Sequence, residues 1–143
     1  MRHIFTLAIV ALLHSTAVQA EPMAPLPPSA VQLADLLYKS RVVVVFAPAP
    51  EDPNFVRQME LLAIDNGDLA ARDVVLVVDA DPSAKSALRT KLRPSGFSLV
   101  ILDKDGKTAL RKPLPWSLRE ITRAIDRFPS RRDEMFDLLP AGR

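Results

Sequence analysis

The chain has 143 residues, no cysteine, and two histidines, His3 and His14, both near its start. That length suits one domain and falls short of two, and the missing thiols exclude disulfides, thiol redox chemistry and a cysteine-borne lipid anchor. With 19 Lys and Arg against 17 Asp and Glu, the surface is mixed in charge, without the basic footprint of a nucleic-acid binder.

The first twenty residues, MRHIFTLAIVALLHSTAVQA, open on Arg2 and continue into an apolar stretch from Ile4 to Leu13. Val18 and Ala20 sit at the small-residue positions of a signal-peptidase site, so cleavage is expected between Ala20 and Glu21. The apolar stretch is too short to cross a ~30 Å hydrocarbon core as a helix, and no later run approaches that length. The mature chain is therefore expected to be exported, periplasmic or secreted, with no membrane span. It would then hold neither Cys nor His, which excludes a histidine-based triad, haem–His ligation and zinc sites built on those residues.

Residues 21–28, EPMAPLPP, carry four prolines and predict an extended linker. Ser29 then caps a predicted helix with Val31, Leu33, Leu36 and Leu37 at roughly helical spacing. RVVVVFAP (41–48) is a continuous β-branched run, the pattern of a central strand covered on both faces. A helix follows from Asn54 to about Ile64, with Phe55, Met59 and Leu62 on one side, and Asn66 to Asp68 break it. VVLVVDAD (74–81) predicts a second buried strand. Asp81 and Pro82 open the next predicted helix, which runs through Leu88 to Leu92 and stops at Pro94 and Gly96. FSLVILDKDGKTALRK (97–112) reads as a β-hairpin turning at Asp105-Gly106. Ser117 and Glu120 form a capping box for a last helix with Leu118, Ile121, Ile125 and Phe128 on its apolar face.

Alternating elements of this kind favour parallel strands joined by right-handed crossovers. The closing hairpin makes the sheet mixed. The expected fold class is α/β, thioredoxin-like: a four-stranded mixed sheet in the order β-α-β-α-β-β-α with an extra N-terminal helix. The expected domains are a signal peptide (1–20), a Pro-rich linker (21–28), the fold itself (29–135) and a C-terminal tail (136–143).

From Leu36 to Met135 the chain resembles a thioredoxin-like domain-of-unknown-function family found in exported bacterial proteins and in animal sushi-repeat extracellular proteins. RVVVVFAP (41–48), ARDVVLVV (71–78), LVILDKDGKTALR (99–111) and IDRFPSRRDEM (125–135) carry the resemblance. The chain departs from the family pattern at Asp103, where glycine is common, and at Phe128, where methionine is common. The resemblance implies the fold and no established activity or cofactor.

Thioredoxin-type enzymes keep two cysteines at the first strand-to-helix junction. Here that junction reads Glu51-Asp52-Pro53-Asn54. A carboxylate and an amide cannot attack sulfur as a thiolate does. Those enzymes also place a proline before the strand that begins here near Phe97, where this chain has Ser98 or a neighbour. Glu51 and Asp52 read locally as helix-start residues favoured by the macrodipole, and with Asn54 they are the candidate binding-edge residues.

A second reading uses the carboxyl ends of the parallel strands, where open α/β sheets bind ligands. Glu51, Asp52, Asp79 and Asp81 would form a carboxylate rim there, with Asp79 and Asp81 as candidate ligands for a divalent metal. The alternative for Asp81 is a simple helix cap. The DKDGK turn is not an EF-hand, because counting from Asp103 places glycine fourth and Leu114 twelfth. The four glycines are isolated, so no phosphate-binding loop is present. Arg119, Arg123 and Arg127 fall on the solvent face of the last helix, with Arg131 and Arg132 beyond Pro129, and Trp116 reads as a hydrophobic staple. The sequence therefore predicts a non-catalytic binding or interaction module with no cofactor, whose partner is a protein or small molecule. The rival is a hydrolase-type or other enzyme using the carboxylate rim with a divalent cation.

Overall fold

A computed structural model describes residues 22–64 and 66–140. The leader and its expected cleavage site at Ala20 and Glu21 lie outside the described residues. Four strands form one sheet: β1 (Arg41–Phe46), β2 (Val74–Asp79), β3 (Ser98–Leu102) and β4 (Thr108–Lys112), in spatial order β2-β1-β3-β4. β1 runs parallel to β2 and antiparallel to β3, and β3 runs antiparallel to β4. The mixed sheet predicted from the sequence is the one observed.

The β-branched run of β1 is buried at every position, and strand alternation divides it between two cores. Val43 and Val45 point to a core shared with Leu62, Leu69, Ile121 and Ile125. These come from α2 (Pro53–Ala63), α3 (Gly67–Ala70) and α5 (Leu118–Ile125). Val42, Val44 and Phe46 point the other way, toward Leu88 and Leu92 of α4 (Ala87–Leu92) and Leu33 and Leu36 of α1 (Leu33–Leu36). The sheet is thus the middle of three layers. None of the described helices is long and apolar enough to cross a membrane.

The Ser117–Glu120 capping box forms as expected, with both reciprocal bonds present at the start of α5. Trp116 packs on the same core as Ile121, the contact a staple requires. Fully buried Gln58 exchanges two hydrogen bonds with the Trp116 backbone, its amide donating to the carbonyl at 2.8 Å and its oxygen accepting at 2.9 Å. That pair fastens α2 to the start of α5. The predicted hairpin turns at Gly106, whose φ of +78° favours glycine and where an added β-carbon would lie 2.7 Å from the Leu37 side chain.

Four expectations need revision. The helix predicted from Ser29 is instead a 3-10 turn (Pro28–Ala30) and a separate α1, because Val31 is extended and packs against the second core. The helix predicted from Asp81 to Leu92 is likewise split. Asp81 caps only Pro82–Ala84; Lys85 then turns left-handed, and Ser86 caps α4. The Pro-rich segment is extended but pinned to the sheet: Leu26 bridges Val77 in parallel, and its amide donates to Leu76 at 2.9 Å. Finally, a further helix, α6 (Pro129–Asp137), follows where the sequence reading had none.

Candidate functional site

Register fixes the two ends of the sheet. At the amino end Arg41 stands opposite Val74, next to the turn that follows Leu102. At the carboxyl end Asp79, Phe46 and Ser98 form one row across three strands.

The amino end is filled by one buried guanidinium. Arg41 is 0% exposed. Its Nε donates to Asp103 at 3.1 Å, Nη1 to the Arg72 carbonyl at 2.9 Å and to Glu134 at 3.3 Å, and Nη2 to Ser130 at 2.7 Å and Glu134 at 2.9 Å. All five of its N–H donors are thereby used. Lys104 bridges Glu134 and Asp73, and Arg72 grips Asp126 with two bonds of 2.8 Å. Burial pushes the Glu134 carboxyl up, but hydrogen bonds from Arg41, Lys104 and Arg131 outweigh it and hold the group at about 2, against an ordinary 4.5. Asp126 is lowered chiefly by its bond from Arg72. Every stretch carrying the family resemblance feeds this network: 41–48 gives Arg41, 71–78 gives Arg72 and Asp73, 99–111 gives Asp103 and Lys104, and 125–135 gives Asp126, Ser130 and Glu134. The four stretches meet in one tertiary clamp.

At the carboxyl end the expected rim residues have separate tasks. The carboxylate of Asp79, 3% exposed, accepts from Arg89 at 2.9 Å and from the Ser86 hydroxyl. The same Arg89 nitrogen donates to the carbonyls of Ala47 and Asp79, and its guanidinium lies 5.2 Å from the Phe46 ring centroid. Asp81 is exposed and accepts from Ser83, whose hydroxyl bond lowers its pKa. Asp52 caps α2 by accepting from the Phe55 amide at 3.0 Å. Glu51 is exposed and Asn54 half-buried on the same turn. Strands β1 and β2 are neighbours, as the rim reading required. Even so, among the described residues no three Asp, Glu, Cys or His side chains group to hold a metal.

Sequence reasoning missed a cleft of about 370 Å³ beside this row, lined by Arg93, Ser95, Phe97, Ser98, Arg111 and Pro113. Arg93 ends α4 in a left-handed conformation, and Gly96 at φ +58° turns the chain back into β3. Arg111, opposite Val100 on β4, is anchored by one bond of 2.6 Å to the Leu92 carbonyl. The available signal was the Arg-Pro-Ser-Gly stretch before β3, which the sequence reading used only as a helix stop.

Helices on both faces of a four-stranded mixed sheet, with a strand-to-helix junction at the carboxyl edge, define a protein of the thioredoxin-like α/β class. Chloroplastic thioredoxin z superposes with a TM-score of 0.55 at 19% identity, covering 75% of this chain and 94% of that one. The exposed lipoprotein thioredoxin Etrx1 of Streptococcus pneumoniae gives 0.48 at 18% identity, covering 68% and 91%. No curated protein matches in sequence. The chain belongs to the family described as Domain of unknown function (DUF4174), whose profile matches residues 32–134. With no cysteine in the sequence, this chain has the fold without thiolate chemistry.

Proposed function

We propose that this is an exported, non-catalytic binding module that uses the carboxyl edge of a thioredoxin-like sheet to hold a ligand. The observation that carries the reading is the division of labour along that edge. Asp79, Asp81 and Asp52 are spent on Arg89, Ser83 and the Phe55 amide, while an open cleft lies beside them. The hydroxyls bonded to two of these carboxylates sit in helix caps: Ser86 donates to Asp79 while accepting from the Arg89 amide, and Ser83 donates to Asp81. The volume falls in the range of small-molecule sites, which occur at such strand ends. Export is supported by the leader, with cleavage between Ala20 and Glu21.

Thermal unfolding in the presence of divalent cations, EDTA, anions and nucleotides tests the reading, run beside a panel of chromogenic esters. A ligand at a hundredfold its Kd adds ~2.7 kcal/mol and raises Tm by several degrees. Ligand-dependent stabilisation without turnover supports a module. Cation-dependent ester turnover lost in Asp79→Asn would instead establish the enzyme reading.

A further inference from the structure

We infer that the cleft between the Arg93–Ser98 loop and β4 is a binding site for a tetrahedral oxyanion of the phosphate class. This inference rests on the reading of the carboxyl edge as the ligand edge and names the chemistry it selects.

Three observations converge. First, two guanidiniums line one concavity with no acid among its walls. Arg41, Arg72, Arg89 and Arg131 each pair with a carboxylate, whereas neither Arg93 nor Arg111 does among the described residues. Arg119 and Arg123, exposed on α5, and Arg127, exposed in the turn after it, also lack an ion pair among the described residues. Arg93 and Arg111 are exposed as well, but they line one cleft, where like charges repel until an anion enters.

Second, Ser98 is 4% exposed, and its hydroxyl lines the cleft without a hydrogen-bond partner among the described residues. Its oxygen is not sealed from solvent, which leaves the hydroxyl free to donate to a ligand oxygen in the cleft. Ser95 adds a second hydroxyl on the loop.

Third, the site is held in shape. Arg111 gives one donor to the Leu92 carbonyl and keeps its others free for the cleft. Ser98 is fixed by its pairing with Phe46. Two planar forks and two hydroxyls supply the directed donors that a phosphate's oxygens accept. Phe97 and Pro113 add an apolar wall for a small organic group carrying the anion.

Phosphorus-31 NMR and calorimetry at low ionic strength provide the test, with inorganic phosphate and phenyl phosphate as probes and acetate and phenol as controls. Both phosphates are expected to bind, at least tenfold more tightly than acetate or phenol. Phenyl phosphate binding more tightly than inorganic phosphate assigns the site to an ester. Equal affinity assigns it to the free ion, and either result supports the inference. Arg111→Gln and the exposed Arg93→Gln should each weaken binding tenfold or more, while Arg119→Gln should leave it unchanged. Should Arg111→Gln fail to fold, Arg93→Gln carries the test. No phosphate binding, or binding indifferent to Arg93→Gln, overturns the site and leaves the module reading standing. Release of inorganic phosphate from bound phenyl phosphate would support the site and overturn the non-catalytic reading.

Discussion

The two ends of the sheet treat charge in opposite ways. At the amino end, Arg41, Lys104, Asp103 and Glu134 are bonded to one another and to Ser130, and they tie together segments up to 93 residues apart in sequence. At the carboxyl end Asp79 and Arg89 form a smaller pair, while Arg93 and Arg111, beside an open cleft, have no carboxylate partner among the described residues. Charge that is fully bonded holds a fold together, whereas charge left free in a concavity is available to a ligand. In this chain the bonded charges of the clamp and the arginines that fit the binding role lie at opposite ends of the sheet.

The comparison breaks most visibly at Arg41. Arg41→Met should leave Asp103 and Glu134 without their buried partner and cost roughly 3–5 kcal/mol. The thermal midpoint would then fall by about 10 °C or more. A small shift would mean that the clamp is dispensable. Asp79→Asn should cost about 2 kcal/mol through the weakened bonds from Arg89 and Ser86, read as a lower urea midpoint. EDTA should not alter its unfolding.

Two smaller effects sharpen the contrast. Asp52→Ala removes the cap of α2 and should cost about 1 kcal/mol in urea unfolding. Acid separates the two ends more subtly. Glu134 lies at about 2 in the fold against 4.5 ordinarily, so its contribution is complete above pH ~4.5 and is lost as pH falls toward ~2. The loss should be of order 1 kcal/mol once solvent screening is allowed for. Asp126, also lowered, adds in the same direction. Glu134→Gln should flatten the acid limb of a stability–pH profile.

Much of the fold was legible because it is written locally. The β-branched run of β1, the Asp105-Gly106 turn and the Ser117–Glu120 box each declare themselves within a few residues. The misreadings came where a distant partner decides. Nothing near Ser86 says that its hydroxyl will serve both Asp79 and the Arg89 amide, yet those two bonds split the predicted helix. α6 buries no residue and so has no apolar stripe to betray it. Pro129 at its first turn was the sign available, and the helix is held by Ser130 and Glu134 reaching Arg41 and Asp103. Asp103 looked like a departure from the family pattern and proves to be part of the clamp. The candidate site was half legible. Its edge followed from strand polarity, three of the expected carboxylates, Asp52, Asp79 and Asp81, bond to neighbouring groups, and the cleft arginines come together only in three dimensions.

Backbone amide chemical shifts followed while phenyl phosphate is added test the division between the two ends most directly. The account predicts shifts concentrated at Arg93 to Ser98 and at Arg111, with Arg41, Asp103 and Glu134 unmoved. Shifts centred on the amino-end clamp, or none at either end, would contradict it.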